Sequence, residues 1–337
     1  MRLSGVSLSR LRCREKMGER LVSKARVRPK SPRSQKARGH LPSGQLARKI
    51  RRLEISATAL AQSELGGHYQ SVFKGQGMEL SDVREYFPGD DVRAIDWSVS
   101  ARMGKPHVKL FEEERDKELV LMVDVSASML FGTQILNKRE VAAELAAVLA
   151  FSALHQGDSV GLILFSDKVE IFVPPRKGRQ HLLRILREIY TFDAKLRKTR
   201  LSVATDLLFS ACRRRAIGIV LSDFQCADWE HALARSVVRN EVVSVVISDP
   251  FEMQMPNVGL AFFQDLETGE YFEFDTGGPE AMLYRRDCEL ARQDLRTSMK
   301  KMTASYVEVD TGSSPIDALL AYFRKRALQR RRGGRRI

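Results

Sequence analysis

Asp124-Val125-Ser126-Ala127-Ser128 puts one carboxylate and two hydroxyls on alternate residues, directly after the apolar run Leu119-Val120-Leu121-Met122-Val123. That run has the composition of a strand buried on both faces, and ligands of an open parallel sheet gather beyond the carboxyl ends of its strands. An all-oxygen, singly charged donor set suits a hard cation that keeps several waters, Mg²⁺ or Mn²⁺ rather than Zn²⁺. Alone the pattern is weak, because a serine after a strand also serves as a cap or turn residue. Two later segments strengthen it. Thr205-Asp206 is expected to open a helix after the polar loop 197–204, and Ser222-Asp223-Phe224 follows the apolar strand expected over Ile217–Leu221. Both fall at the carboxyl edge of the same expected sheet, which makes Asp124, Ser126, Ser128, Thr205 and Asp223 the candidate metal residues.

Such a site needs a sheet to assemble it, and hydrophobic periodicity supplies one. A helix is expected over Lys138–His155, strands over Ser159–Phe165 and Val169–Val173, and a helix over Gln180–Tyr190. Further helices are expected over Asp206–Arg215 and Trp229–Val238, alternating with strands Ala216–Leu221 and Glu241–Ile247. This alternation predicts an α/β, doubly wound, mostly parallel Rossmann-like sheet. A hairpin around Glu267-Thr268-Gly269-Glu270, on or beside the sheet, a helix over Pro279–Met302, a strand over Tyr306–Val309 and a helix from Pro315 complete it.

Ahead of the sheet, residues 45–67 read as an amphipathic helix stopped by Gly66-Gly67. Residues 68–117 read as a small β-rich lead-in module with a strand-like piece over Arg93–Val99, and residues 118–328 form the main domain. Residues 1–44 and 329–337 are expected to be disordered basic tails, and Met17 offers a later start. Their charge dominates the chain's +14: residues 1–52 carry +15 and residues 324–337 carry +8, leaving −9 on the body between. Four cysteines, at 13, 212, 226 and 288, fit no zinc or disulfide framework, so a reducing, cytoplasmic setting is expected. The longest apolar stretch, Val141–Leu154, contains Glu144 and is too short to span a membrane. The Arg/Ser-rich start has the composition of a transit peptide but lacks the apolar core of a secretory signal.

Enzyme readings are poorly supported. Asp124-Val125-Ser126 lacks the second acid, two positions on, that an aspartyl phosphatase requires. Gly157-Asp158-Ser159-Val160-Gly161 matches GxSxG, but a helix precedes it and a strand follows, the reverse of a nucleophile elbow. Neither phosphate-loop motif occurs with a suitable helix. The six histidines never pair at metal-ligand spacing, and Lys74-Gly75-Gln76-Gly77 reads as a structural turn. Asp96, Trp97 and Arg102, with the acidic run Glu112–Glu118, are expected to dock the lead-in module, with Trp97 in a core.

Asp124-x-Ser126-x-Ser128, with Thr205 and Asp223 downstream, resembles the metal-ion-dependent adhesion site of von Willebrand factor A-like domains. The flanking sequence is similar to the bacterial family catalogued as domain of unknown function 58. That likeness rests on Phe73–Glu79, Val83–Tyr86, Pro88–Arg93, Ile95–Trp97, Ala101-Arg102, Glu112–Arg115, Ser222–Phe224 and Asp265–Glu270. The resemblance implies that Ser126, Ser128 and Thr205 bind an ion directly, while Asp124 and Asp223 act mainly through waters. It further implies a non-enzymatic role beside a MoxR-type AAA+ ATPase and a client protein. The alternative function is nucleic-acid or anionic membrane-surface binding through the basic ends. No aromatic residue interleaves with arginine in residues 1–52, and the body is acidic, which argues against nucleic acid.

Overall fold

The computed structural model describes residues 43–62, 64–73, 78–113, 117–192, 198–212, 215–266, 271–302 and 304–333. Its centre is a six-stranded sheet of order β10-β7-β6-β3-β4-β5. The strands are β3 (Glu118–Asp124), β4 (Ser159–Phe165), β5 (Val169–Arg176), β6 (Ile217–Ser222), β7 (Glu241–Ser248) and β10 (Ser305–Asp310). All neighbours pair in parallel except β5, an antiparallel edge strand on β4. β3 lies between β4 and β6 with helices over both of its faces, which is why Leu119–Val123 carries no polar residue.

Alternation along β3 divides the core in two. Leu119, Leu121 and Val123 face one layer, with Val141, Leu145 and Leu149 of α4 (Lys138–His155), Leu182 and Ile185 of α5 (Arg179–Thr191), and Phe323 of α10 (Pro315–Gly333). Val120 and Met122 face the other, with Leu208 of α6 (Leu201–Ala211), Leu233 of α7 (Trp229–Arg239), and Leu295 and Met299 of α9 (Pro279–Lys301). The fold is therefore α/β and doubly wound, with helices on both faces of a mostly parallel sheet. Among the described residues, no helix is long and apolar enough to cross a membrane.

Several boundaries differ from the sequence expectation. Gly66-Gly67 does not end the first helical region: α1 (Ser43–Gln62) is followed by α2 (Glu64–Phe73), which contains both glycines. A Cβ on Gly66 would lie 2.1 Å from the Ala61 carbonyl oxygen, so glycine permits the close approach between the two helices. Burial carries the helix onward, because Tyr69 and Phe73 pack on Phe323 with ring centroids 6.4 and 5.7 Å away. At the other end, α10 runs as far as Gly333, so helix covers residues 329–333 of the tail expected over 329–337, and residues 334–337 lie outside the described residues. The expected tail over residues 1–44 and the turn Lys74–Gly77 fall almost wholly outside the described residues.

The lead-in module pairs β1 (Met78–Glu85) with β2 (His107–Glu113), and its expected strand over Arg93–Val99 is a 3-10 turn at Val92–Ala94 followed by α3 (Trp97–Met103). Asp96 caps α3 by accepting from the Ser98 and Val99 amides, and Gly104 closes it at φ 70°. Trp97 is 70% exposed, not in a core. Asp96 serves the cap and an ion pair with Lys109 within the module. The late hairpin, β8 (Leu260–Gln264) with β9 (Tyr271–Asp275), forms its own two-stranded sheet. At the GxSxG match, Gly157 takes φ 83° after α4, the buried Asp158 accepts from the Tyr69 hydroxyl at 3.2 Å, and Ser159 begins β4. That is a turn and strand start.

Candidate metal centre

β3 ends at Asp124, and the Val125 amide reaches the Phe165 carbonyl at the end of β4, 2.8 Å away. The chain then turns. The Ser126 amide donates to Asp124 Oδ1 at 2.9 Å, and a 3-10 turn over Ala127–Leu130 brings the Ser126 and Ser128 hydroxyl oxygens within 3.0 Å of each other. Asp124 and Ser126 are wholly buried and Ser128 nearly so. From the neighbouring strand, the Ser222 hydroxyl donates to Asp124 Oδ2 at 2.6 Å while accepting from the Phe224 amide at 3.0 Å. Phe224 adopts φ 57°, rare for a bulky residue, and its ring packs edge-on against Trp229. This left-handed step ends β6 and sets the loop that carries Asp223.

Asp223 accepts from the Gln225 amide on Oδ1 at 3.1 Å and lies close to the Ser128 side chain. On Oδ2 it meets the Lys138 ammonium at 2.8 Å. Lys138 is wholly buried and its ammonium also reaches Glu252 Oε1 at 2.6 Å. Glu252 belongs to the short helix α8 (Pro250–Met253), which Asp249 caps. Sequence reasoning missed Lys138 and Glu252. A lysine in a helix's first turn reads as solvent-facing, and its two acids lie 85 and 114 residues away.

The structure thus joins Asp124, Ser126, Ser128 and Asp223 in one buried cluster. It places Thr205 differently. Thr205 lies inside α6, which begins at Leu201, and its hydroxyl donates to the Ser202 carbonyl of its own helix at 3.0 Å. The helix starts earlier than expected because Asp228, from the loop after β6, accepts from the Leu201 and Ser202 amides at 3.2 and 2.8 Å. On its other side the Arg200 amide donates to Ser166 just past β4, at 2.9 Å. The first turn of α6 is therefore tied to the loops on either side of β3. Immediately ahead of it, Thr199 has a buried hydroxyl with no hydrogen-bond partner. The one sequence signal for Thr199 was its position just before apolar Leu201.

Electrostatics set the character of the cluster. Burial, then repulsion from Asp223, pushes the Asp124 carboxyl up to about 7, against the hydrogen bonds from Ser222 and Ser126. Burial also opposes ionisation of Asp223, but the Lys138 ammonium prevails and holds it below the usual carboxylate range. Lys138 is driven the other way: Asp223 and Glu252 outweigh its burial and keep it charged.

These residues fit a small hard cation. Two ligands at about 2.1 Å on adjacent corners of an Mg²⁺ octahedron lie about 3.0 Å apart, and the Ser126–Ser128 oxygen separation is 3.0 Å. Thr199, two residues ahead of α6, carries a buried hydroxyl without a partner, and the two buried aspartates beside the serines offer countercharge. Among the described residues there is no cluster of three or more His, Cys, Asp and Glu side chains able to hold a metal, so any ion held here would need hydroxyl ligands.

Known proteins locate the chain. The uncharacterized protein Rv1480 of Mycobacterium tuberculosis is 33% identical over 277 residues, spanning 81% of this chain and 87% of that protein. The Bacillus subtilis uncharacterized protein YeaD is 36% identical over 127 residues, 38% of this chain and 28% of YeaD. Among solved structures, an aerotolerance-related membrane protein of Bacteroides fragilis is 17% identical with a TM-score of 0.41, over 63% of this chain and 99% of that one. BatB of Bacteroides thetaiotaomicron is 16% identical with a TM-score of 0.40, over 63% and 98%. Residues 82–297 match the family described as protein of unknown function DUF58. With that match over more than half of its length and the mycobacterial similarity across four-fifths of it, the chain belongs to the DUF58 family.

Proposed function

We propose that this protein is a non-enzymatic, metal-dependent protein-interaction module that captures a carboxylate of a partner protein. The observation that carries the reading is the pair of buried serine hydroxyls 3.0 Å apart at the carboxyl end of β3, backed by two buried aspartates. Ser126, Ser128 and Thr199 would hold an Mg²⁺ or Mn²⁺ ion through their hydroxyls, with Thr199 taking the role first expected of Thr205. When bound, such an ion supplies a Lewis-acidic centre with an open position for an anionic side chain.

The chain's own residues favour recognition over hydrolysis. Asp124 is fixed by the Ser126 amide and the Ser222 hydroxyl, and Asp223 by Lys138 and the Gln225 amide. Held in this way, both would act on an ion through water rather than directly, which leaves the centre electron-poor. On the family resemblance, the partner inferred is a MoxR-type AAA+ ATPase acting on a client protein. The cytoplasm is the inferred setting, consistent with free thiols at Cys212 and Cys226.

The test is binding of the purified chain to that ATPase in Mg²⁺ and in EDTA. The reading expects Mg²⁺-dependent binding that is lost in Ser126→Ala/Ser128→Ala and kept when residues 1–44 are removed. Binding indifferent to EDTA and to the double substitution would overturn it. Loss only on removing residues 1–44 would favour the basic ends.

A further inference from the structure

Resting on the metal-site reading, we propose that Lys138 is the positioning residue that sets this site's charge for a divalent ion and holds Asp223 behind the hydroxyls. Lys138 occupies a poor place for a cation. It is the first residue of α4, where the helix dipole presents its positive end, and it is 0% exposed. A buried ammonium needs compensation, and here it comes from outside the helix, at 2.8 Å from Asp223 and 2.6 Å from Glu252. The Phe131 ring centre lies 5.9 Å away on its apolar side. No local preference places a lysine there; the three-body contact does.

Charge counting shows the consequence. Asp124, Asp223 and Glu252 carry three negative charges when ionised, and Lys138 removes one, leaving two for a bound cation to balance. The same contact has a geometric effect. With Oδ2 on Lys138 and Oδ1 on the Gln225 amide, Asp223 has both oxygens engaged and is kept from swinging forward to become a direct ligand. Without the ammonium, one more charge and a mobile carboxylate favour a more highly charged ion.

The test compares calorimetric titrations of Mn²⁺ and Tb³⁺ into the full chain at pH 8. Wild type, Lys138→Met, Glu252→Gln and the charge-matched Lys138→Met/Glu252→Gln are used. Differences in ion size cancel between variants, so the ratio of Tb³⁺ to Mn²⁺ affinity reports the charge of the site. A unit charge within several ångströms at an intermediate dielectric should move that ratio by about tenfold or more. The ratio is expected to rise in Lys138→Met, to fall in Glu252→Gln, and to return to within about threefold of wild type in the double variant. Should Lys138→Met fail to fold, the opposite shift in Glu252→Gln and the rescue in the double variant still decide.

A ratio unchanged across variants, with wild type binding Mn²⁺, would reduce Lys138 to a structural ion pair while leaving the metal site standing. Mn²⁺ binding by the double variant but not by wild type would mean that the ammonium occupies the ion's place, and the metal-site reading would fall too. No binding by any variant would overturn both.

Discussion

Replacing Thr199 and Thr205 by valine in turn separates the two threonines that compete for the third hydroxyl of the site. Valine keeps the branched shape at each position, so only the hydroxyl chemistry changes. In Thr205→Val the lost interaction is the 3.0 Å bond to Ser202 inside α6, a neutral pair contributing about 0.5–1.5 kcal/mol. Thr199 differs in sign. Its hydroxyl is buried without a partner, a penalty of about 1–3 kcal/mol that valine relieves. In EDTA, melting should therefore fall in Thr205→Val and rise in Thr199→Val, by about 2–4 °C per kcal/mol for a domain of this size. In saturating Mg²⁺ the gap between the two variants should narrow. Thr205→Val keeps its ion-dependent stabilisation, whereas Thr199→Val loses about tenfold in affinity, about 1.4 kcal/mol, and with it part of the linked rise in melting temperature. Thermal melts in the two buffers with an Mn²⁺ titration read all of this. If Thr205→Val abolishes the Mg²⁺ response while Thr199→Val preserves it, the placement of the third ligand ahead of α6 is wrong.

Asp124→Asn should alter how stability depends on pH. The wild-type carboxyl titrates near 7 when folded, above its ordinary value. The native state therefore holds a proton that the unfolded chain has released, and metal-free stability falls as pH rises from about 4 to 7. Asparagine removes that fall, so its advantage in urea melts should grow by about 2–3 kcal/mol between pH 5 and 8. Asp223, held below the normal range, acts with the opposite sign only at more acid pH; a constant difference would refute the assignment. Trp97→Ala should change urea stability by less than about 0.5 kcal/mol, because the indole is 70% exposed, whereas a core tryptophan would cost several times that. Phe323→Ala should cost about 3–5 kcal/mol, since its buried ring joins α10 to Tyr69 and Phe73 of α2.

Much of the fold was readable because its signals are local. The helix over Lys138–His155 has its Asn137–Glu140 capping box within four residues, and expectation and structure agree on both ends. The apolar run into Asp124 marked the central strand, and the turn residues after it marked half of the candidate site. Where caps come from elsewhere, boundaries slipped. α6 was expected at Asp206 but begins at Leu201, because its amides are satisfied by Asp228, 26 and 27 residues downstream. The segment Arg93–Val99 is a different case: Asp96 and Gly104 are local helix caps, and they outweigh its strand-like apolar alternation.

The sequence by itself determined that the chain folds as an α/β sheet with oxygen-rich loops after β3 and β6, since hydrophobic period and turn chemistry act over a few residues. Only the tertiary structure decided which oxygens meet and what charge surrounds them. Parallel strands of order β6-β3-β4 set side by side loops about a hundred residues apart. Burial then drew Lys138 into the cluster and left Thr199, not Thr205, with an unsatisfied hydroxyl. The cause is that desolvation and pairing depend on what surrounds a side chain in space, and no neighbour along the chain reports it.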